Sequence, residues 1–379
     1  MRILHLTDHY PPVLGGIETH VAGLSQRQHE RGDDVTVLTS TSAGDDQRAG
    51  PVRVIRARSL LEGARIDFTS FDVVHTHISV VAPFSAPVAA IAARSGVPTV
   101  VTVHSMWSGL GPLPGLAAAA AGLRTAPVLW TSVSRVAATQ LRLQLPHLTE
   151  VAVLPNAVDT PPRRQTVEAR PDHSVHLIST MRLARRKRPL QLIRVFEALC
   201  ASVDVPLRLT IVGDGPLLGS LRRQIARSGL ESSVTLSGRV EPSQVVDLLG
   251  AADVYVAPSI RESFGLAALE ARCVGLPVVG HAASGLTDFI RPGVEGFLCD
   301  SDSHMVVALG RLVDDDALRL RMSEHNRTVA TDATWTSSLS HHDRVYAAAG
   351  AEVLLRAAGT RGVSSPAVAS PVAIDELLP

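Results

Sequence analysis

The sequence predicts an α/β protein made of two doubly wound domains, each a parallel sheet with helices on both faces. Three observations support this prediction. Short apolar runs alternate with segments of helical periodicity along most of the 379-residue chain, which is the pattern of parallel sheets. A Pro- and Arg-rich stretch at 160–171 interrupts the alternation, which then restarts. A chain of this length is also too long for one ordinary core.

The first half of the chain supplies the strands of one complete domain. The predicted strands lie at 2–7, 34–39, 52–56, 73–77, 99–104, 129–134 and 151–154. Residues 1–160 are therefore assigned to an N-terminal domain. Residues 161–173 lack apolar periodicity and are assigned to an exposed linker. The opening run MRILHL is interpreted as a strand and not as a signal peptide, because it has neither a long apolar region nor a cleavage site.

The second half repeats the pattern. Its predicted strands lie at 175–180, 207–212, 234–236, 254–257, 277–280 and 296–299, within a C-terminal domain at 174–334. The periodicity predicts one helix over 312–330 and a final amphipathic helix over 335–355. We expect residues 335–358 to cross back to the N-terminal domain. The stretch 359–379 is rich in Ser, Pro and Ala, which predicts disorder.

The composition argues against several classes of function. The chain has 36 basic and 36 acidic residues and no net charge, so it lacks the basic excess typical of nucleic-acid binding. Its three cysteines show no metal-ligand spacing, which indicates a reducing cytoplasm. No run reaches the ~18 apolar residues that a spanning helix needs. We expect a cytoplasmic protein, with peripheral contact at the inner face of a membrane left open.

Lys187 is the only lysine among the 36 basic residues of the chain. Arginine replaces lysine readily on a solvated surface. It does not do so where a compact ammonium must reach a phosphate without the bulk of a planar guanidinium. Lys187 also follows directly after a predicted strand, in the stretch MRLARRKRP at 181–189. A chance survivor of compositional bias and a phosphate ligand are both compatible with this position.

The segment 257–271, APSIRESFGLAALEA, carries the densest chemical signal. A buried strand is predicted to end at Pro258 and a helix to begin near Ser263–Gly265. The first backbone amides of a helix have no intrahelical partner, and the helix dipole favours an anion there. Glu262 precedes this helix, and Glu270 lies about 9 Å further along it. Carboxylates on both sides of a phosphate-binding turn suit a nucleotide sugar, which carries hydroxyls on both sides of a diphosphate.

This segment resembles the Glu-x7-Glu signature of retaining glycosyltransferases with the GT-B fold. The chain is similar in particular to the family 4 type, also called glycosyl transferases group 1, which includes phosphatidylinositol mannosyltransferases. Further motifs occur in family order: YPPVLGGIETHV at 10–21, LPNAVD at 154–159, Arg182 followed by Lys187, VGDGP at 212–216 and PGVEGF at 292–297. The resemblance implies two Rossmann-like domains that face each other across a cleft and a nucleotide-sugar donor.

The resemblance also implies roles for individual residues. Arg182 and Lys187 would neutralise the departing diphosphate, and Glu262 would bind hydroxyls of the transferred sugar. Glu270 would bind the ribose, and His104 would lie beside the anomeric carbon. Other donor-binding positions implied by the family motifs are Gly15, Gly16, Val240, Ser263, Phe264, Gly265 and Leu266. A glycine such as Gly16 would let the backbone approach the diphosphate closely.

The acceptor site is predicted less sharply, because the N-terminal loops read the acceptor and a single sequence indicates little about them. The candidates are Tyr10, Glu18, His20 and Trp107. The acceptor itself can be a glycan, a membrane lipid or a small molecule. GDP-mannose is the slight favourite as donor, followed by UDP-glucose and UDP-N-acetylglucosamine. Ala157 replaces a usual family glycine, and 283–285 lacks the family's common Gly-Gly pair, which weakens inference about the sugar.

Three motifs suggest other sites, and none of them is preferred. The stretch GDGPLLG at 213–219 spells a dinucleotide fingerprint. It follows the second strand of its domain, however, and Pro216 removes an amide from the loop. The stretch 300–302 spells Asp-Ser-Asp, a metal motif in other transferases, and the family counterpart of this loop has no metal duty. His75 and His77 are expected to point to opposite faces of their strand, which disfavours a shared metal ion. No cofactor or metal is expected.

The sequence therefore predicts a retaining transferase that moves a hexose from an NDP-sugar. The resemblance implies that attack and departure occur on the same face of the sugar. Two alternatives remain at this stage. One is a GT-B enzyme with different chemistry, such as a sugar-nucleotide epimerase or a phosphorylase. The other is a non-catalytic protein that binds sugar nucleotides.

Overall fold

The computed structural model describes residues 1–13, 15–42, 50–107, 109–159 and 173–359. The chain divides into two units, one formed by Met1–Ala157 with Trp335–Pro379 and the other by Val158–Thr334. Most of the predicted linker, and the predicted tail beyond residue 359, lie outside the described residues. The α/β class predicted from the alternation is confirmed, with all strand pairs parallel among the described residues.

The first unit contains one parallel sheet. In the described residues its strands are β1 (Arg2–Thr7), β2 (Asp34–Thr39), β3 (Arg53–Arg56), β4 (Val73–Ile78), β5 (Thr99–Val103), β6 (Leu129–Ser132) and β7 (Ala152–Val153). They are ordered β3-β2-β1-β4-β5-β6-β7. The strand order reverses between β1 and β4. In such open sheets, ligands bind outside the carboxyl ends of the strands at this switch point.

The second unit repeats this topology with one strand fewer in the described residues. Its strands are β8 (Val175–Thr180), β9 (Leu207–Val212), β10 (Val234–Gly238), β11 (Val254–Ala257), β12 (Val278–His281) and β13 (Gly296–Cys299). They are ordered β10-β9-β8-β11-β12-β13. The switch point of this sheet lies between β8 and β11. The loops that follow these two strands are therefore the expected location of a ligand.

Helices connect the strands on both faces of each sheet. The first unit contains α1 (Gly16–Glu30), α2 (Leu60–Ala64), α3 (Ser85–Arg94), α4 (Leu113–Ala120) and α5 (Arg135–Gln144). The second contains α6 (Pro189–Cys200), α7 (Leu218–Arg227), α8 (Pro242–Gly250), α9 (Leu266–Val274), α10 (Asp302–Asp314) and α11 (Asp316–Thr328). Short 3-10 turns lie at Phe68–Ser70, Arg185–Lys187 and Gly285–Asp288. No helix in the described part of the chain is long and apolar enough to cross a membrane.

The predicted helix over 312–330 is wrong in its extent. The structure has two helices there, which meet at Asp315. The Asp315 side chain accepts a hydrogen bond from the Leu318 amide at 2.8 Å, so it caps a new helix. A local side-chain cap interrupts a periodicity that otherwise continues across the break.

The last helix, α12 (Trp335–Gly359), belongs to the first unit. It packs against α1 and β5. Trp335 begins this helix, and its ring stacks on His20 with centroids 5.4 Å apart. The Arg27 guanidinium lies 4.4 Å from the centre of the same ring. Just before the helix, Val158 and Thr334 form a parallel backbone bridge, so the two ends of the second unit lie side by side.

Candidate active site

The loops at the switch point of the second unit carry the predicted donor residues. The loop after β8 contains Arg182 and Lys187, and the loop after β11 contains Glu262. Because β8 and β11 are neighbours in the sheet, both loops emerge at the same edge. The sequence motifs and the sheet topology are separate observations, and both indicate this edge of the second sheet.

Lys187 and Glu262 are in direct contact across these two loops. The Lys187 Nζ donates a hydrogen bond to Glu262 Oε2 at 2.5 Å. The Lys187 side chain is about a third exposed (36%) and that of Glu262 is 17% exposed. Partial burial strengthens the attraction between the two charges relative to a fully solvated pair. The geometry places one cationic donor and one carboxylate acceptor side by side at an accessible edge.

Arg188 fixes the loop that presents Lys187. Its backbone is left-handed, with φ of 58°, which is unusual for a residue with a side chain. Its guanidinium donates to the Pro258 carbonyl at 3.0 Å and to Asp302 at 2.9 and 2.7 Å, and it lies 2.8 Å from His281 Nε2. Hydrogen bonds from Arg188 lower the pKa of Asp302. Asp302 of the Asp-Ser-Asp motif therefore has a structural partner in this loop.

Two glycines of the GDGPLLG motif support the loop that carries Arg182. A Cβ on Gly213 would collide with the Met181 backbone, and one on Gly215 would lie 2.7 Å from the Leu183 carbonyl oxygen. Both glycines have positive φ, 128° and 158°. The Leu183 amide donates to the Asp214 carbonyl at 2.9 Å. These glycines serve close packing of two backbone turns, and Arg182 itself remains exposed.

The helix after Glu262 begins at Leu266, one residue after the predicted start at 263–265. Gly265 is the N-cap of α9, with φ of 99°, a conformation that favours glycine. The buried Phe264 packs on Phe289, with ring centroids 5.5 Å apart. A Cβ on Gly285 would meet the Ser263 carbonyl and would lie 2.7 Å from the Phe264 Cα. This close approach holds the backbone at the helix start, where Leu266 is the first helical residue.

Glu270 lies on α9, and Val240 lies just beyond the end of β10. Val240 is half-buried, and the Glu270 side chain is exposed. Protein atoms around the Glu270 carboxyl nevertheless raise its pKa by desolvation, to about 7. Because the side chain keeps contact with water, solvent screening reduces this effect. The position is compatible with binding of hydroxyl groups, which either protonation state of the carboxyl can do.

The predicted first-loop residues lie at the start of α1 in the other unit. Gly15 is the extended N-cap, and Gly16 is the first helical residue and is exposed. The Glu18 carboxylate folds back against Gly15, where a Cβ would collide with it. Glu18 is 9% exposed and Tyr10 is 8% exposed. The packing of Glu18 therefore accounts for a glycine at position 15, and the approach of a diphosphate to Gly16 stays a prediction.

The other acceptor candidates and His104 are buried side chains of the first unit. Trp107 is 4% exposed and belongs to the hydrophobic core between the sheet and α3. His20 is 4% exposed beneath Trp335, and His104 is 5% exposed. The His20 and His104 rings lie 5.6 Å apart. Among the described residues, Nδ1 of each of these two histidines is buried and has no hydrogen-bond partner.

The expectation that His75 and His77 point to opposite strand faces is wrong. Side chains alternate along a strand with a period of two, so residues two apart share one face. The two rings are 4.1 Å apart. His5, on the neighbouring strand β1, joins them, and ligand atoms of all three lie within 4.8 Å of one another. The correct period, together with His5 on the adjacent first strand, would have indicated a histidine cluster from sequence.

Comparison with protein families identifies both halves of the chain. Residues 14–161 match the family described as Glycosyltransferase Family 4. Residues 163–329 match the family described as Glycosyl transferases group 1. The two matches follow one another along the chain and together span both units.

Curated relatives match this chain either over about half of its length or over most of it. A D-inositol 3-phosphate glycosyltransferase from Pseudarthrobacter chlorophenolicus is 35% identical over 179 residues, which cover 45% of this chain and 43% of that protein. This chain thus matches less than half the length of that relative. A glycogen synthase from Mycobacterium tuberculosis is 28% identical over 92% of this chain and 95% of its own length.

Solved structures share the fold at lower sequence identity. The Anabaena protein HepE, solved with UDP, superposes with a TM-score of 0.74 and 19% identity, covering 92% of this chain and 100% of that one. Sucrose-phosphate synthase from Thermosynechococcus elongatus has a TM-score of 0.70 and 20% identity, covering 94% and 100%. Both are similar to this chain in fold.

Proposed function

Because this chain belongs to the GT-B glycosyltransferases that combine the Glycosyltransferase Family 4 and Glycosyl transferases group 1 domains, we propose that it transfers a hexose from an NDP-sugar to an acceptor hydroxyl. Family membership places the chain among glycosyltransferase enzymes. The observation that carries the specific proposal is the contact between Lys187 and Glu262 at the switch point of the second sheet.

The proposed mechanism depends mainly on electrostatic stabilisation. The bond between the anomeric carbon and the diphosphate oxygen breaks, and negative charge develops on the leaving group. Arg182, Lys187 and the first amides of α9 oppose that charge. The acceptor oxygen forms the new bond on the same face of the sugar, and its proton passes to the departing diphosphate. These groups supply the positive charge themselves, so the proposal needs no divalent metal ion.

Glu262 is proposed to hold the transferred sugar next to this charge. Its carboxylate accepts the Lys187 hydrogen bond, and its remaining lone pairs can accept hydroxyl donors of a sugar. A diphosphate on Lys187 and a sugar on Glu262 would therefore lie next to each other, as they do in an NDP-sugar. Glu270 is proposed to bind the ribose further along α9.

The donor and acceptor are best sought among the molecules named with the relatives. HepE was solved with UDP and glucose and with UDP-glucose, which makes UDP-glucose the first donor to test, with GDP-mannose and UDP-N-acetylglucosamine beside it. D-inositol 3-phosphate and an α-glucan are the first acceptors to test, because relatives are named for an inositol phosphate and for glycogen. Cytoplasmic location and contact with a membrane lipid remain predictions.

A substitution of Glu262 tests the proposed site. In the Glu262→Gln variant the side chain keeps its size but loses its charge, and we expect kcat to fall on the order of 100-fold or more. Donor turnover is measured with acceptor present, and thermal unfolding establishes that the variant is folded. The matched control is Glu231→Gln, an exposed glutamate of the same unit, which should retain full activity.

Full transfer activity in a folded Glu262→Gln variant would contradict the site. The assay without acceptor separates the remaining alternatives. Consumption of the donor without acceptor, giving an isomer or a sugar phosphate, would indicate an epimerase or a phosphorylase. Binding of the donor without turnover under all acceptor conditions would indicate a non-catalytic protein.

A further inference from the structure

The side chain of Arg188 connects the carboxyl ends of four adjacent strands of the second unit. Arg188 lies in the loop after β8, and its guanidinium donates at 3.0 Å to the carbonyl of Pro258, which directly follows β11. It also lies 2.8 Å from Nε2 of His281, the last residue of β12. Finally, it donates at 2.9 and 2.7 Å to both carboxylate oxygens of Asp302, which begins α10 in the connection after β13. The four strands are neighbours in the order β8-β11-β12-β13.

The backbone conformation of Arg188 is unfavourable for a residue with a side chain. Its φ of 58° and ψ of 42° are left-handed, so its Cβ crowds the following carbonyl oxygen, whereas a glycine adopts this conformation freely. Within the described ranges, His173 is the only other non-glycine residue with positive φ. Residues held in such conformations cluster at functional sites. The contacts of the guanidinium therefore have to account for an arginine at this position.

The backbone of Arg188 also determines how Lys187 is presented. Arg188 ends the 3-10 turn Arg185–Lys187 and is the N-cap of α6. Its amide donates to the Arg185 carbonyl at 3.2 Å, and its own carbonyl accepts from the Leu192 amide at 3.1 Å. Lys187 thus lies between a turn and a helix that are joined at Arg188, so a displacement of Arg188 moves Lys187 as well.

Arg188 and Lys187 contact the same neighbouring loop, the one after β11. Arg188 meets this loop at Pro258, and Lys187 meets it further along at Glu262. Lys187 has a flexible side chain and makes one short hydrogen bond there, at 2.5 Å. Arg188 has a planar group that is also held by both oxygens of Asp302. The more rigid contact of Arg188 therefore restricts the separation of the two loops that the flexible Lys187 has to span.

These contacts require the shape and the charge of an arginine. A guanidinium and a carboxylate form two parallel hydrogen bonds, which fix the angle between the groups as well as their distance. The side chains of Arg188 and His281 are 19% and 3% exposed, and shielding from water strengthens the interaction of charges. A guanidinium has no acceptor, so His281 Nε2 accepts and carries no proton. Burial and the nearby Arg188 lower the pKa of His281, which agrees with a neutral ring.

We propose that Arg188 is a positioning residue of the transfer reaction, whose guanidinium holds the loop of Lys187 at a fixed distance from the loop of Glu262. This inference rests on the proposed function, in which Lys187 binds the diphosphate and Glu262 binds the transferred sugar. Arg188 does not touch the donor in this proposal. It acts through Lys187 and Glu262, because a displacement of reacting groups by about 1 Å can cost a factor of about 100 in rate.

Because the chain has a single lysine, this positioning can be measured without enzymatic activity. The full chain labelled with ¹³C and ¹⁵N in lysine alone gives one side-chain ammonium signal in NMR spectra, that of Lys187. In the wild type we expect the signal of an ammonium bonded to a carboxylate, and Glu262→Gln should shift it to the position of a solvated lysine. Arg188→Gly relieves the backbone but removes the guanidinium, and we expect the signal to shift toward that of Glu262→Gln. A wild-type signal at the position of a solvated lysine would overturn the proposal.

Free guanidinium ion separates loss of these contacts from loss of the fold. Added at millimolar concentration to Arg188→Gly, it can occupy the space between Asp302 and the Pro258 carbonyl. We expect it to return the Lys187 signal toward the wild-type position. Turnover should follow the signal: kcat falls about 100-fold in Arg188→Gly and recovers with guanidinium. Urea, which is planar but carries no charge, should restore neither the signal nor kcat.

Two further variants complete the experiment. Arg185→Ala removes an exposed guanidinium from the same turn and should leave both the Lys187 signal and kcat unchanged. Arg188→Gln keeps a planar donor and the single lysine, and it replaces Arg188→Gly if thermal unfolding shows that the glycine variant is not folded. The proposal fails if the folded Arg188 variant keeps the wild-type signal or the wild-type kcat. If the signal responds as expected but the wild type transfers no sugar, the proposed function fails and the positioning of Lys187 by Arg188 stands.

Discussion

At the scale of the residue, Lys187 has two properties that a substitution can separate: its charge and its shape. The ammonium lies 2.5 Å from Glu262 Oε2. Arginines occupy the three neighbouring positions 185, 186 and 188, so positive charge alone is plentiful in this turn. The shape of the group therefore distinguishes Lys187 from its neighbours.

We expect Lys187→Arg to impair turnover although it preserves the charge. The planar guanidinium needs more room than an ammonium and cannot reproduce the short contact with Glu262. We predict a fall in kcat on the order of 100-fold, with a folded protein by thermal unfolding. The control is Arg185→Lys, an exposed residue of the same turn, which should leave kcat unchanged. Near-normal turnover in Lys187→Arg would mean that the single lysine is a compositional accident.

The histidines show where residue-level prediction reached its limit. His104 could be selected from a family motif, but the partners of the histidines behind it could not, because Gln28 contacts His5 and Tyr346 contacts His75 from other parts of the chain. Only the sheet register brings His5 beside His75. The orientation of His75 and His77 could have been predicted correctly, since strand periodicity alone determines it.

At the scale of the element, the approach of the 3-10 turn Gly285–Asp288 to the start of α9 positions the donor loop. The atoms that a Cβ on Gly285 would meet are backbone atoms of Ser263 and Phe264. Backbone cannot move aside as a flexible side chain can. The turn therefore determines where the Glu262 loop and the first amides of α9 lie.

We expect Gly285→Ala to displace this loop and to lower both activity and stability. The predicted loss of stability is about 1–3 kcal/mol, as for other overpacked sites, with kcat/KM reduced at least tenfold. Urea unfolding and donor turnover measure the two effects. Gly250→Ala is the matched control, because a Cβ there has nothing within 4 Å. Equal behaviour of the two variants would show that the close approach does not position the site.

The elements themselves were largely predictable. Strands β1, β2, β8 and β9 have the predicted bounds, because buried parallel strands are continuous apolar runs flanked by polar residues. The break at Asp315 was missed, since a cap is a local hydrogen bond that leaves the apolar periodicity intact. The packing role of Gly213 was missed for a different reason: its neighbour Met181 precedes it by a whole helix and strand.

At the scale of the whole molecule, the buried histidines of the described residues are concentrated in the first unit. The first unit buries six histidines whose pKa values are lowered by desolvation: His5, His20, His75, His77, His104 and His342. In the unfolded chain these groups titrate near 6.5. The unfolded state therefore binds more protons than the folded state once the pH falls below that value.

We predict that the first unit loses stability as the pH falls from about 6.5 toward 5, by up to about 1.4 kcal/mol per pH unit for each protonating histidine. The three tryptophans, Trp107, Trp130 and Trp335, all lie in this unit. Tryptophan fluorescence in urea therefore reports on it alone, while far-UV circular dichroism reports on both units. The fluorescence midpoint should shift strongly with pH. Midpoints that stay constant between pH 7 and 5 would contradict the prediction.

The return of α12 to the first unit has a consequence for synthesis of the chain. A ribosome releases residues 1–157 long before Trp335, His342 and Tyr346, which cover the histidine-bearing face of that sheet. The second unit is made from one uninterrupted segment, and its two ends meet at the bridge between Val158 and Thr334. The second unit can therefore complete its contacts before α12, the last helix of the first unit, has been synthesised. The first unit, whose sheet is translated first, is therefore the unit that completes its folding last.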